Sequence, residues 1–167
     1  MIGTKKIVIV NGTNEEDIDM LADCVVRASE NVVYHSILDG VKHIAHMANI
    51  HYPSKDSEKD KKLVDGLVSL FDDYCNLSFD RFTEILSGYF MLDDLDHAFI
   101  YTKYPEIEKK FIDYAHEKDF DVHTLFVESG KVSTCLSDKS SFETIVSNDG
   151  TVENLMDEVI KYICGRE

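Results

Sequence analysis

The stretch that most constrains this chain is KKIVIVNGTNEEDIDMLADC, residues 5–24. Ile7, Val8, Ile9 and Val10 form an uninterrupted, largely β-branched run, the pattern of a strand buried on both faces of a parallel sheet. Asn11 and Gly12 end it, and Asn14 is placed to cap a helix running to about residue 28. The start of such a helix often receives phosphate, because its free N–H groups and its dipole favour an anion. Here the first turn carries Glu15, Glu16, Asp17 and Asp19, with no Lys or Arg before Arg27. Carboxylates at that end stabilise a helix by about 0.3–1 kcal/mol each, and they repel a phosphate. On this reading the usual anion site is filled by the chain's own acids.

A chain of 167 residues with 44% apolar and 29% charged residues suits one domain with a substantial core and an ordinary globular composition. Its formal charge of −15 argues against nucleic acid, which needs a basic stripe, and against an anionic membrane surface. An acidic surface of this kind reads first as a solubility device. Cys24, Cys75, Cys135 and Cys164 are dispersed and form no C-x-x-C, so they read as reduced, mostly buried thiols of a cytosolic protein. Neither a leader nor a membrane span is expected, since the first strand begins almost at once and no apolar run reaches spanning length.

Along the chain, residues 31–36 read as a second strand and 38–49 as a helix. Pro53 and SKDSEKDKK mark a surface connection, followed by two helices, one with Leu63, Leu67, Leu70 and Phe71 on its apolar face, the other capped by Ser78. Residues 97–102 read as a third strand, and Pro105 opens a helix that turns Ile107, Phe111, Ile112 and Ala115 inward. Residues 121–127 and 142–146 complete five strands, separated by a loop-like stretch at 128–141. Asn148-Asp149-Gly150 then turns into a last helix capped by Thr151, with Val152, Leu155, Met156, Val159, Ile160 and Ile163 in helical register. Strands alternating with helices predict an α/β fold of three α/β/α layers around a five-stranded parallel sheet.

Three stretches, KKIVIVNG, HAFIYTKYPEIEKKF and FETIVSNDGTVENLMDEVIKYI, resemble the P-loop nucleoside and deoxynucleoside monophosphate kinases along the whole chain. The resemblance implies a single kinase-like domain over residues 1–167, with a helical substrate-binding insertion near 38–92 and a lid near 128–141. It also implies that strand 7–10 lies centrally, between the strands at 98–101 and 124–127.

The family's phosphate loop, G-x-x-x-x-G-K-[ST], does not carry over. From Gly12 the matching positions are Thr13, Asn14, Glu15, Glu16, Asp17, Ile18, Asp19 and Met20. Asp17 stands for the second Gly and Ile18 for the Lys, while Asp19 or Met20 replaces the magnesium-holding hydroxyl. Lys103 after the third strand, Lys131 in the lid and Lys62 in the insertion are the basic residues nearest to the family's other phosphate-binding positions. Phosphoryl transfer depends on positioning and charge stabilisation of the phosphates. With cations exchanged for carboxylates, the resemblance implies a catalytically degenerate domain acting through an unidentified protein or small-ligand partner, with no catalytic residue and no cofactor. The competing reading is an active nucleoside or deoxynucleoside monophosphate kinase with an atypical loop, favoured by the full-length insertion and lid. Homodimerisation is a further expectation.

Other constellations are weaker. His43 and His46 share a helix side, and with His51 and Asp39 could approach a zinc set, but no sharper ligand signature accompanies them. Histidines of a partly exposed helix, and no bound metal, are expected. Asp93, Asp94 and Asp96 lack the spacing of a calcium loop and read as a solvated turn. Lys59, Lys61 and Lys62 are interleaved with Asp56, Glu58 and Asp60, the pattern of an ion-paired helix face.

Overall fold

The computed structural model describes residues 5–37 and 96–164, with positions 39, 47, 62, 66, 83, 84 and 88 between them. Two compact units are distinguished, Met1–His35 with Gly88–Glu167 and, separately, Ser36–Ser87. The described elements are β1 (Lys6–Gly12), α1 (Glu15–Ala28), β2 (Val32–Ser36), β3 (His97–Tyr101), α2 (Pro105–Glu117), β4 (Asp121–Glu128), β5 (Thr144–Ser147) and α3 (Val152–Cys164). The expected helices at 38–49 and beyond, His43, His46, His51, Asp93 and Asp94 lie outside the described residues.

The five strands form one sheet in the order β2-β3-β1-β4-β5. Strand β1 pairs in parallel with β3, Val8 facing Phe99, and with β4, Ile9 facing Thr124. The central placement expected of residues 7–10 therefore holds: Ile7, Val8, Ile9 and Val10 are all 0% exposed. A strand covered on both faces needs apolar side chains at odd and even positions alike, which is why this run does not alternate. Burying each such side chain contributes about 1.5–3 kcal/mol.

Helix α2 starts with Pro105 in its first turn and buries Ile107, Phe111 and Ala115. Helices α1 and α3 pack together, with the buried Cys24 thiol 3.8 Å from the Val152 carbonyl oxygen. Thr151 caps α3, its hydroxyl oxygen accepting from the Asn154 N–H at 3.4 Å. Of the α3 positions in register, Leu155 and Val159 are the buried ones, while Val152 and Ile160 are 37% and 40% exposed.

Strand β5 begins two residues later than its expected start at 142. A 3-10 turn, Lys139–Ser141, precedes it, with the Asp138 carboxylate accepting from the Ser140 N–H at 2.9 Å. Phe142 is used as an anchor instead of a strand residue, edge-on to Phe126 at 5.4 Å between ring centroids. The thiols also depart from expectation. Of the three described, Cys24 is buried, Cys135 half-buried and Cys164 exposed.

Candidate functional site

All parallel strands deliver their carboxyl ends to one edge of the sheet, and the chain's strand order reverses at β1. A crevice outside the carboxyl ends at such a switch point is where open α/β sheets place ligands. Here that edge is formed by the β1–α1 turn and the segments that follow β3, β4 and β5.

The β1–α1 turn is short and tight. Helix α1 already begins at Glu15, and the Asn14 side chain caps it by accepting from the Asp17 N–H at 3.1 Å. A Cβ on Gly12 would lie 3.0 Å from Ile18 Cδ1 and 3.2 Å from the Val127 carbonyl oxygen. A larger residue at that point would press on Ile18 and on the β4 backbone, because helix and strand approach so closely. The Thr13 N–H donates to the Val127 carbonyl at 2.9 Å, and the Thr13 carbonyl accepts from the Thr134 N–H at 2.8 Å. The Ser129 N–H donates to Thr13 Oγ1 at 3.0 Å, so the segment after β4 is folded onto the turn.

Each acid of the first helical turn has a partner from a different strand end. Glu15 pairs with Lys103, after β3, at 2.8 Å. Glu16 pairs with Lys131, after β4, at 2.6 Å. Asp17 is 1% exposed. Its carboxylate accepts from Ser129 Oγ and from Asn148 Nδ2, each at 2.8 Å. Asn148 is itself positioned by the Gly150 N–H, which donates to its Oδ1 at 2.9 Å, with Gly150 at φ 94. Glycine suits that left-handed position. Ile18 is buried at 2% exposure, Asp19 faces solvent and Met20 is half-buried.

Two solved structures of the APS kinase CysC from Mycobacterium tuberculosis share this architecture. One is of a cysteine-to-alanine mutant, with a TM-score of 0.51 at 13% identity, covering 96% of this chain and 98% of that one. The other, in complex with AMPPNP and APS, has a TM-score of 0.56 at 11% identity over the same shares. The likeness is one of fold, a parallel sheet of five strands packed with helices. No family model and no curated protein matches the chain.

A P-loop kinase fold ordinarily carries an extended Gly-rich loop between its first strand and helix. In this chain the positions aligned with the later part of that loop, Glu15, Glu16 and Asp17, are helical. Among the other candidates, Lys103 and Lys131 are at this edge, engaged by Glu15 and Glu16. Lys62 is helical and exposed, in the other unit. Asp39 accepts from the Ser36 N–H at 2.9 Å, and the Asp96 carbonyl accepts from the Lys6 N–H at 2.9 Å. Among the described residues no group of three or more His, Cys, Asp or Glu is arranged to hold a metal ion.

On the α2 side of β1 lies a second polar group that sequence reasoning missed. Asn11, 1% exposed, directs its Nδ2 toward Glu108 Oε2 at 3.3 Å and Thr102 Oγ1 at 3.4 Å. Ser137 Oγ donates to the same Glu108 oxygen at 3.1 Å. Burial pushes the Glu108 carboxyl above its ordinary range, against the opposing effect of the Ser137 and Asn11 hydrogen bonds. The signal available was spacing: Glu108, Phe111 and Ala115 share one helical face, so an acid stands on the inward side. Beside this group a cavity of about 90 Å³ opens, lined by Asn11, Asn14, Glu15, Lys103, Thr134 and Cys135 among others. Burial raises the pKa of the Cys135 thiol, and the Glu108 charge adds to this, while the N–H groups of Ser137, Gly12 and Leu136 oppose it.

Proposed function

We propose that this chain is a P-loop-kinase-like domain without phosphoryl-transfer chemistry, working as a binding module for a protein or small polar ligand. The observation that carries the reading is Asp17: a buried, doubly hydrogen-bonded carboxylate occupies the place of the loop's second glycine. Catalysis of phosphoryl transfer needs N–H groups and cations aimed at phosphate oxygens. At this edge the helical N–H of Asp17 is taken by Asn14, and the two lysines are taken by carboxylates.

A nucleotide triphosphate entering here would meet Glu15 and Glu16. One like-charged pair at about 4 Å costs about 1 kcal/mol even in water. Two such pairs weaken binding roughly thirtyfold. Calorimetry with ATP and GTP, each with magnesium, should detect no binding tighter than about 1 mM. Micromolar binding that disappears on substitution within this turn would instead favour an active kinase with an atypical loop.

A further inference from the structure

A parallel sheet that does not close has two edge strands, here β2 and β5. Strand β5 bonds to β4, and among the described residues no strand lies on its other side. The Asn148 N–H donates to the Glu128 carbonyl at 2.7 Å, with Glu128 beside Ser147 in the register. Backbone groups alternate in direction along a strand, so Thr144 and Val146 turn theirs toward β4, while Ile145 and Ser147 turn theirs outward. Both outward residues are exposed, Ile145 at 47%. Such an edge is a template for another strand, and proteins commonly blunt it with Lys, Pro or a bulge. The β5 sequence, TIVS, carries neither Lys nor Pro. We infer that β5 is a docking edge for an extended, basic segment of a partner protein, which joins the sheet as a sixth strand. The inference is independent of what the β1–α1 turn binds.

The charges bordering this edge select the partner. Glu143 precedes β5 directly and Asp149 follows it closely, and both are exposed. Glu143 Oε2 accepts from the Thr124 N–H at 3.3 Å and lies 3.4 Å from His123 Nδ1. Asp149 Oδ1 accepts from the Thr151 N–H at 2.9 Å and from its hydroxyl at 2.8 Å. Neither acid pairs with a Lys or Arg among the described residues, and Lys139, the nearest Lys in sequence, is taken by Glu128. A second copy on this edge would bring acid against acid. Parallel pairing sets Glu143 beside Glu143, antiparallel pairing sets it beside Asp149, and each copy carries a charge of −15. A segment with Lys or Arg at both ends meets both acids instead. From Glu143 to Asp149 an extended chain spans about 20 Å, so the partner's cations stand about six residues apart. An apolar side chain between them covers Ile145.

The test is an NMR titration of the isotope-labelled full chain with the peptide KTVTVTK, beside ETVTVTE. Saturable shifts and slowed exchange of the Ile145 and Ser147 amides are expected with KTVTVTK. ETVTVTE should bind at least about tenfold more weakly. Ile145→Pro removes an outward N–H that the sheet does not use, and should abolish binding. Ile145→Lys keeps the backbone intact and meets the peptide with like charge, so it should weaken binding about tenfold. The proposal fails if neither amide responds up to about 5 mM peptide, if ETVTVTE matches KTVTVTK, or if Ile145→Lys binds as well as wild type. A dimer in sedimentation that Ile145→Lys dissociates would give the edge to a second copy and overturn the basic partner.

Discussion

Replacing Asp17 by Ala asks whether this carboxylate ties the strand ends together or only repels anions. The substitution removes two hydrogen bonds of 2.8 Å, from Ser129 Oγ and Asn148 Nδ2. Bonds to a charged acceptor contribute about 1.5–3 kcal/mol each. Ser129 is half-buried and can turn to water, so its loss lies at the low end. Asn148 is 5% exposed, and its stranded amide carries a desolvation cost of about 1–3 kcal/mol. Alanine's better helix propensity offsets about 0.5 kcal/mol. The net expectation is a loss of about 2–4 kcal/mol, against a typical total of about 5–15. In a chain of this size that lowers Tm by about 4–16 °C. Urea unfolding at pH 7 should show the midpoint falling at constant slope. Asp17→Asn keeps an acceptor for Asn148 and should lose about half as much. A shift within about 0.5 kcal/mol of wild type for Asp17→Ala would refute the argument, because that is the behaviour of a surface residue.

His97 is held below the ordinary histidine range, first by burial and then by Lys6 and His123, and its Nδ1 has no partner among the described atoms. Folded protein therefore binds fewer protons there than unfolded, and the stability His97 contributes above about pH 6.5 is lost as pH falls through its folded pKa; His97→Phe should flatten that part of a urea-midpoint profile. Glu108 titrates in the opposite sense: with its folded pKa raised by burial, its contribution is complete below its unfolded pKa and is lost as pH rises through the folded one. Glu108→Gln should remove that decline and raise stability at neutral pH relative to wild type, measured by the same profiles. Lys131→Met breaks a solvent-exposed pair with Glu16 and should leave the urea midpoint unchanged, since exposed pairs contribute little.

The framework was legible because burial writes itself into composition. A strand covered on both faces cannot alternate, so residues 7–10 announced a central parallel strand, and both neighbours paired as expected. Pro105 and Thr151 marked helix starts by local chemistry, proline's fixed φ and a hydroxyl cap, which needs no tertiary context. The site was legible only in part. Asp17 carries the same charge in the sequence as Glu15 and Glu16, and nothing local distinguishes an acid that is buried and satisfied from two that are partly or largely exposed. The distinction comes from Ser129 and Asn148, 112 and 131 residues away in the chain. Phe142 misled for a related reason: its β-propensity is real, but a 3-10 turn and the ring of Phe126 claim it first.

The early helix start and the acid partners are one arrangement. Asn14 caps the helix, so Glu15, Glu16 and Asp17 fall in the first turn, where the dipole favours negative charge. From there each reaches a different strand end, Lys103 after β3, Lys131 and Ser129 after β4, and Asn148 after β5. Three carboxylates of the chain thus gather donors from the carboxyl ends of the sheet, a role that an anionic ligand plays at an open helix terminus. This makes piecemeal restoration of a phosphate loop unfavourable. Ile18→Lys would put an ammonium where the side chain is 2% exposed and packs on the Gly12 position. Asp17→Gly would strand Asn148 before any cradle had formed. Only a change that also moves the helix start C-terminally would free N–H groups for phosphate, and that change must break the Asn14 cap.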